Sequence, residues 1–278
     1  MIIIIDHKIK QKRRAYKMTV QTQKSTHLFL ASIGKTMLRP GGREATEKII
    51  ADCNITKDTK ILEVAPNMGT TAVQLAKTYG CQIIGVDIHA QSVEKAQQNI
   101  RDNQLEHLIQ IQKGDAMHLP FMDHTFDIVL NEAMLTMLSD EQKKKALSEY
   151  YRVLKPGGKL ATHDMLLKQK PDHLEIQSRM QKWREFLQVN ARPCTKEGWI
   201  GLIEAQGFQD LSVHIGKMRL LSFRGLVYDE GWDGLMKMID AARKTPETEA
   251  RFFELISRFD ENEDLYGYIA LTAAKPEE

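Results

Sequence analysis

Residues 61–69 of this chain, Ile61-Leu62-Glu63-Val64-Ala65-Pro66-Asn67-Met68-Gly69, carry an acidic residue near the end of a short apolar run, then a tight turn of small residues, then a helix opening at Thr70-Thr71. Such a layout lets backbone N–H groups and a helix N-terminus come close to a charged or zwitterionic ligand. Alanine is nearly as small as glycine, and asparagine is one of the few side chains that tolerates a left-handed backbone, so Ala65, Asn67 and Gly69 can all serve a close approach. Asp87 stands 24 residues after Glu63, at the end of a second apolar run and followed by Ile88. An acid there is placed to accept hydrogen bonds from both hydroxyls of a ribose.

Other residues that could do chemistry sit at later strand ends. Asn131 and Glu132 follow a fourth run, Phe126-Asp127-Ile128-Val129-Leu130. Glu132 can orient a nucleophile or an amino group, or it can simply face a helix N-terminus. His163 and Asp164 end a fifth run and could supply a general base, but neighbours on a strand point opposite ways, so one of them at most faces a site. Arg39 can clamp an anion or lie solvated in a loop. His27, His107, His118 and His124 show no metal-ligand grouping, and no metal is expected. Met134, Met137, Met165 and Met180 read mainly as core, with an apolar acceptor pocket as their alternative use.

These residues need a scaffold, and the pattern supplies one. Strand-like and helix-like segments alternate from residue 43 to about 165, which points to an α/β fold with a doubly wound, mostly parallel sheet. Expected strands are Lys60 to Val64, Gln82 to Asp87, Ile109 to Lys113, Phe126 to Leu130 and Lys159 to His163. Expected helices are Arg43 to Cys53, Thr70 to Tyr79, a helix capped by Ser92 and running to about Asn103, and Asp140 to Val153, stopped by Lys155-Pro156-Gly157-Gly158. Beyond 165 the alternation weakens. Helices are expected over Leu174 to Val189, Thr195 to Gln206, Trp232 to Ala242 and Pro246 to Phe259. Strands are expected around Leu211 to Leu221 and over Tyr266 to Ala273. The chain reads as one domain over 18–278, with a core at 43–165 and a cap with the last strands at 166–278.

Composition narrows the function. The net charge of +2 combines +5 in residues 1–17, read as a disordered basic tail, with −3 in the remainder. A slightly acidic body gives no case for nucleic-acid binding, and no apolar run approaches a membrane span. Cys53, Cys81 and Cys194 stand far apart without C-x-x-C spacing, which fits a reducing, cytoplasmic setting and argues against a disulfide framework or structural zinc.

Taken together, the acid and turn at 63–69, Asp87, Gly114-Asp115-Ala116-Met117, and Phe126 to Glu132 with Tyr151-Arg152-Val153-Leu154-Lys155-Pro156-Gly157-Gly158 resemble class I S-adenosylmethionine (SAM) methyltransferases of the small-molecule type. That resemblance implies a Rossmann-like seven-stranded sheet with a helical N-terminal lead-in and helical cap insertions. It implies that Glu63 meets the methionine end of the cofactor, Ala65, Asn67, Gly69 and Thr70 give close approach, and Asp87 with Ile88 holds the nucleoside. Asp115, Ala116 and Met117 would then contact the adenine, with Asn131 and Arg39 completing the cofactor site. Glu132 and His163 are the catalytic candidates, S-adenosylhomocysteine the product, and a small molecule the acceptor; the chain is expected as a monomer or homodimer.

The lead-in Gly34-Lys35-Thr36-Met37-Leu38-Arg39-Pro40-Gly41-Gly42-Arg43 is similar to that of phosphoethanolamine methyltransferases, which lies across the cofactor. Their match continues in Glu132 to Leu138 and Asp229-Glu230-Gly231-Trp232, but Thr136 replaces that family's catalytic histidine and no tyrosine occurs in 18–42. Ubiquinone- and menaquinone-pathway methyltransferases are similar over the core motifs. Three other readings compete. A nucleic-acid methyltransferase of the amino type would need N-P-P-Y after the fourth strand, where Asn131-Glu132-Ala133-Met134 stands instead. A nicotinamide dehydrogenase would need G-x-G-x-x-G, which Ala65 to Gly69 lacks. A SAM-binding sensor or scaffold without catalysis is the alternative from outside the enzyme class.

Overall fold

The computed structural model describes residues 26–277, and these open with helices α1 (Thr26–Ser32) and α2 (Gly42–Ala51). There follow β1 (Lys60–Val64), α3 (Thr70–Tyr79), β2 (Gln82–Asp87), α4 (Ala90–Asp102), β3 (Ile109–Lys113) and β4 (Phe126–Glu132). A 3-10 turn at Leu135–Met137 leads to α5 (Asp140–Val153) and β5 (Leu154–Leu167). The rest is α6 (Leu174–Leu187), α7 (Lys196–Glu204), β6 (Gln209–Lys217), α8 (Phe223–Ala242), α9 (Pro246–Glu261) and β7 (Tyr266–Ala274). The basic tail expected at 1–17 lies outside the described residues.

The seven strands of the described residues form one sheet in the order β3-β2-β1-β4-β5-β7-β6. β1 to β5 run parallel, whereas β7 is antiparallel to both of its neighbours. Chain order reverses between β1 and β4, the switch point beside which ligands bind in open α/β sheets. The period-two alternation of the strands sorts side chains onto two faces. Ile61, Ile83 and Ile128 pack with Ala45 and Ile49 of α2 on one face. Leu62, Val129 and Leu160 pack with Leu147 and Tyr150 of α5 and Trp199 of α7 on the other. A third cluster, with Leu30 of α1, Trp183 of α6, Met238 of α8 and Phe252 of α9, gathers on Met165 and Leu167 at the far end of β5.

Several expected boundaries shift, each for a traceable reason. Ser92 is not a cap: α4 starts at Ala90, with His89 in the cap position and its N–H donating to Asp87 Oδ1 at 2.9 Å. β5 starts before the Pro-Gly-Gly turn, where Leu154 pairs with Phe126 of β4, and extends past His163 because β7 pairs with it from Lys159 to Leu167. α8 begins nine residues before the expected Trp232, capped by Ser222, and breaks at Gly231 (φ 72°, ψ 171°).

That break presents Asp229 and Glu230 to the lead-in. Buried Lys35 Nζ lies 3.3 Å from both Asp229 Oδ2 and Glu230 Oε1. Glu230 Oε1 also accepts from the N–H groups of Thr36 and Met37, and Asp229 Oδ1 from that of Arg43 at 2.8 Å. A Cβ on Gly42 (φ 59°) would meet the Asp229 carboxylate at 2.4 Å, so only glycine fits there. The lead-in is thus hung from the cap. Asp229→Ala, which leaves Lys35 buried with half of its compensating charge, is expected to lower stability by about 3 kcal/mol in urea unfolding. A loss within 0.5 kcal/mol, an exposed-site magnitude, would contradict that anchoring.

Candidate functional site

The turn after β1 is built from alternate left-handed residues: Ala65 (φ 58°), Asn67 (φ 52°) and Gly69 (φ 68°). The Ala65 N–H donates to Val86 O at 2.8 Å, which ties the turn to β2. Gly69 then caps α3, and a Cβ there would press on Ala96 of α4 at 3.3 Å. Asp87 is buried at the end of β2, where Oδ2 accepts from the Asn67 N–H at 3.3 Å. Two backbone donors hold this carboxylate in place, one per oxygen, and leave it further acceptor capacity.

Over this edge lies the lead-in. Between Met37 to Arg39, Glu63, Asn67, Thr71 and Glu132 there is a cleft of about 70 Å³. Its roof and floor are joined by a buried network. Arg39 Nη1 donates to Glu132 Oε2 and, at 2.7 Å, to Thr71 Oγ1. Thr71 donates to the same carboxylate oxygen at 3.2 Å. The other oxygen, Oε1, accepts from Thr46 Oγ1 at 2.5 Å and lies 3.3 Å from His163 Nδ1. His163 Nε2 accepts the Gly41 N–H at 2.8 Å, which places the imidazole proton on Nδ1, donating to Glu132. The ring is fully buried and meets Tyr268 edge-on, with centroids 5.7 Å apart. Burial first, and then the charge of Arg39, hold His163 well below the usual imidazole range.

Glu63 is the contrasting acid. It is 5% exposed, lines the cleft, and its Oε2 has no hydrogen-bond partner among the described residues. Burial pushes it up to about 7, against the pull of the Arg39 charge and the Ala72 backbone N–H. Arg39 is likewise brought down to about 10 by burial, supported against that by Glu63 and Asp229, and its Nε also has no partner among the described residues. Glu63 Oε2 on the sheet side and Arg39 Nε on the lead-in side thus both lack a partner among the described residues, a complementary pair for a zwitterion.

Glu63, Ala65, Asn67, Thr70, Arg39 and Glu132 all line the cleft. Asp87, half-exposed Ile88 and Asp115 to Met117 continue from it along the same edge, at the ends of β2 and β3. The Asp115 carboxylate accepts from Met117 N–H at 2.9 Å and so shapes its own turn. Asn131 is not at the cleft. It faces away from Glu132, fully buried, and its Nδ2 donates to Val64 O at 3.2 Å. Glu132 and His163 are brought together, but as partners of each other rather than as a free base facing the cleft. Thr46 and Thr71 were not expected. Thr46 carried a signal, a hydroxyl among the buried positions of α2, where burial demands a partner. Among the described residues no group of acids, histidines and cysteines could hold a metal.

Comparisons with known proteins agree with this architecture. The sequence matches a methyltransferase domain over residues 62–162, from β1 into β5. It is 47% identical over 249 residues to an uncharacterized protein of Haemophilus influenzae, spanning 90% of this chain and 97% of that one. It is 24% identical to the phosphoethanolamine N-methyltransferase of Plasmodium falciparum over 68% of each chain. The solved structure of Haemonchus contortus phosphoethanolamine N-methyltransferase 2 in complex with S-adenosyl-L-methionine superposes with a TM-score of 0.72 at 19% identity, over 90% of this chain and 56% of that one. At that identity the likeness concerns the fold.

A carboxyl raised by burial favours the fold below its unfolded value and loses that contribution as pH rises through its folded value. Glu63→Gln is therefore expected to leave Tm unchanged near pH 5 and to raise it at pH 8. An equal change at both pH values would contradict the buried, unpaired state of this acid.

Proposed function

The chain belongs to the methyltransferase-domain family, and on that premise we propose that it transfers a methyl group from SAM to a small-molecule acceptor. The observation that carries this reading is Glu63, a buried acid with a free oxygen beside Arg39 at the mouth of a left-handed turn. A methionine-type ammonium would sit on Glu63 Oε2, and its carboxylate near the Arg39 Nε and the α3 N-terminus. Asp87 would take the ribose hydroxyls, with Ile88 and Asp115 to Met117 against the base. Strands lie ~4.8 Å apart, so the ends of β1 and β3 are separated by roughly 10 Å, a span that an amino acid joined to a nucleoside can bridge.

When bound, SAM supplies a methyl carbon already activated by its sulfonium: the acceptor's lone pair forms the new bond to carbon while the C–S pair returns to sulfur. The protein's part is to hold both partners in line and exclude water. The cleft, at about 70 Å³, is well below the volume of an ordinary ligand pocket, roughly 300 Å³ or more, so the lead-in would have to lift for SAM to enter and settle back to exclude water. Glu132 already accepts four donors, and both nitrogens of His163 are engaged. The acceptor is accordingly one that arrives with an available lone pair, such as a neutral amine or an ionised oxygen, sulfur or carbon. The same engagement favours one second reading, a protein that binds SAM without turnover. Formation of S-adenosylhomocysteine with any acceptor separates the two. We place the reaction in the cytoplasm, in keeping with three free, separated cysteines; among the described residues no helix is long and apolar enough to cross a membrane.

Calorimetric titration with SAM is expected to show binding that Asp87→Ala weakens by about 1–3 kcal/mol, the effect of stranding buried hydrogen-bond partners. Absence of binding to the intact protein would overturn the proposal. Because Glu63 must be ionised to receive an ammonium, affinity is also expected to increase as pH rises from 6 to 8. A flat profile over that range would show that Glu63 is not the ammonium's partner.

A further inference from the structure

We propose that His163 is a positioning residue of the methyl-transfer site: as a neutral Nδ1–H imidazole it holds the lead-in through Gly41 and the Glu132 carboxylate at the same time. This rests on the cofactor reading above but adds to it a residue that touches neither the cleft nor any reacting atom. Three observations carry it. The first is direction. A backbone N–H can only donate, so the 2.8 Å contact from Gly41 makes Nε2 the acceptor and leaves the single proton on Nδ1, 3.3 Å from Glu132 Oε1. The second is the absence of slack. His163 is 0% exposed, wedged against Tyr268, and a Cβ on Gly41 would meet Tyr268 Cγ at 2.7 Å and Ala45 Cβ at 2.5 Å, so the lead-in can approach the ring only with glycine there.

The third is what lies downstream. Glu132, held by His163 and Thr46 on one oxygen, presents the other to Arg39 and Thr71. Arg39 in turn stands over Glu63 in the cleft. A doubly protonated imidazole would set an N–H against the Gly41 N–H and release the lead-in. A single hydrogen-bonded path therefore runs from β5 through the imidazole to both the backbone and the guanidinium of the lead-in. His163 sets the height of that roof over the cofactor.

Amide side chains can replace one ring nitrogen each. In His163→Asn the amide nitrogen falls near Nδ1, keeping Glu132 and losing Gly41; in His163→Gln the amide oxygen falls near Nε2, keeping Gly41. Hydrogen exchange at the Gly41 amide and SAM affinity by calorimetry are read on both variants, and the imidazole tautomer is read by nitrogen-15 NMR on the intact protein. His163→Asn is expected to speed Gly41 exchange at least tenfold and to raise the Kd for SAM about tenfold, the magnitude of one lost backbone hydrogen bond. His163→Gln is expected to keep Gly41 exchange within threefold of the parent, and His163 of the intact protein to stay neutral with Nδ1 protonated from pH 5 to 8. An Nε2-protonated or titrating ring, or Gly41 exchange and SAM affinity indifferent to both variants, would overturn the role. If the intact protein binds no SAM, the cofactor reading falls, while the tautomer and the Gly41 exchange still decide for or against the imidazole's hold on the lead-in.

Discussion

A buried ion pair between Arg39 and Glu132 joins two parts of the chain that share no secondary structure: the lead-in before α2 and the end of β4, 93 residues apart. Neither charge is at home in the interior. Guanidinium and carboxylate each lose hydration there, and the pair is tolerable only because Thr71, Thr46 and His163 supply the remaining hydrogen bonds. Such a pair adds little net stability, but removing one member strands the other at a cost of about 3–5 kcal/mol. Its effect is therefore positional. The lead-in has one low-energy seat, directly over the switch point of the sheet.

The surroundings are arranged consistently with that seat. From the cap side, Asp229 and Glu230 hold Lys35, Thr36, Met37 and Arg43 at the break in α8. From the sheet side, His163 holds Gly41. Arg39 is thereby delivered to a cleft whose other acid, Glu63, is left without a full set of partners. The two glutamates show how placement divides labour between identical side chains. Glu132 is saturated and acts as a structural joint, whereas Glu63 is desolvated, partly unsatisfied, and available to a ligand.

Much of the scaffold was legible because it is local. β1, α3, β2, β3 and α5 are bounded as the apolar periodicity and the Pro-Gly-Gly stop require. The ligand-facing acids were legible for a related reason: Glu63 and Asp87 stand at strand ends, where types and spacing alone restrict what they can do. The rest depended on distant partners. The far end of β5 is set by β7, more than a hundred residues later, and the cap position of α4 by the Asp87 carboxylate rather than by Ser92. The role of His163 could not be read from its place on a strand, because its two partners are Gly41 and Glu132. Asn131 and Glu132 are adjacent in sequence, yet strand alternation sends one into the core and the other to the cleft.

The most direct test is a double-mutant cycle on SAM affinity with Arg39→Met, Glu132→Gln and both together, measured by calorimetry at pH 8. If the ion pair seats the lead-in over the cofactor, each single substitution weakens binding by at least tenfold and the double does little more harm than the worse single, a coupling of about 1–3 kcal/mol. Losses that simply add, or singles that bind SAM as the parent does, would show that the lead-in finds its place without this pair.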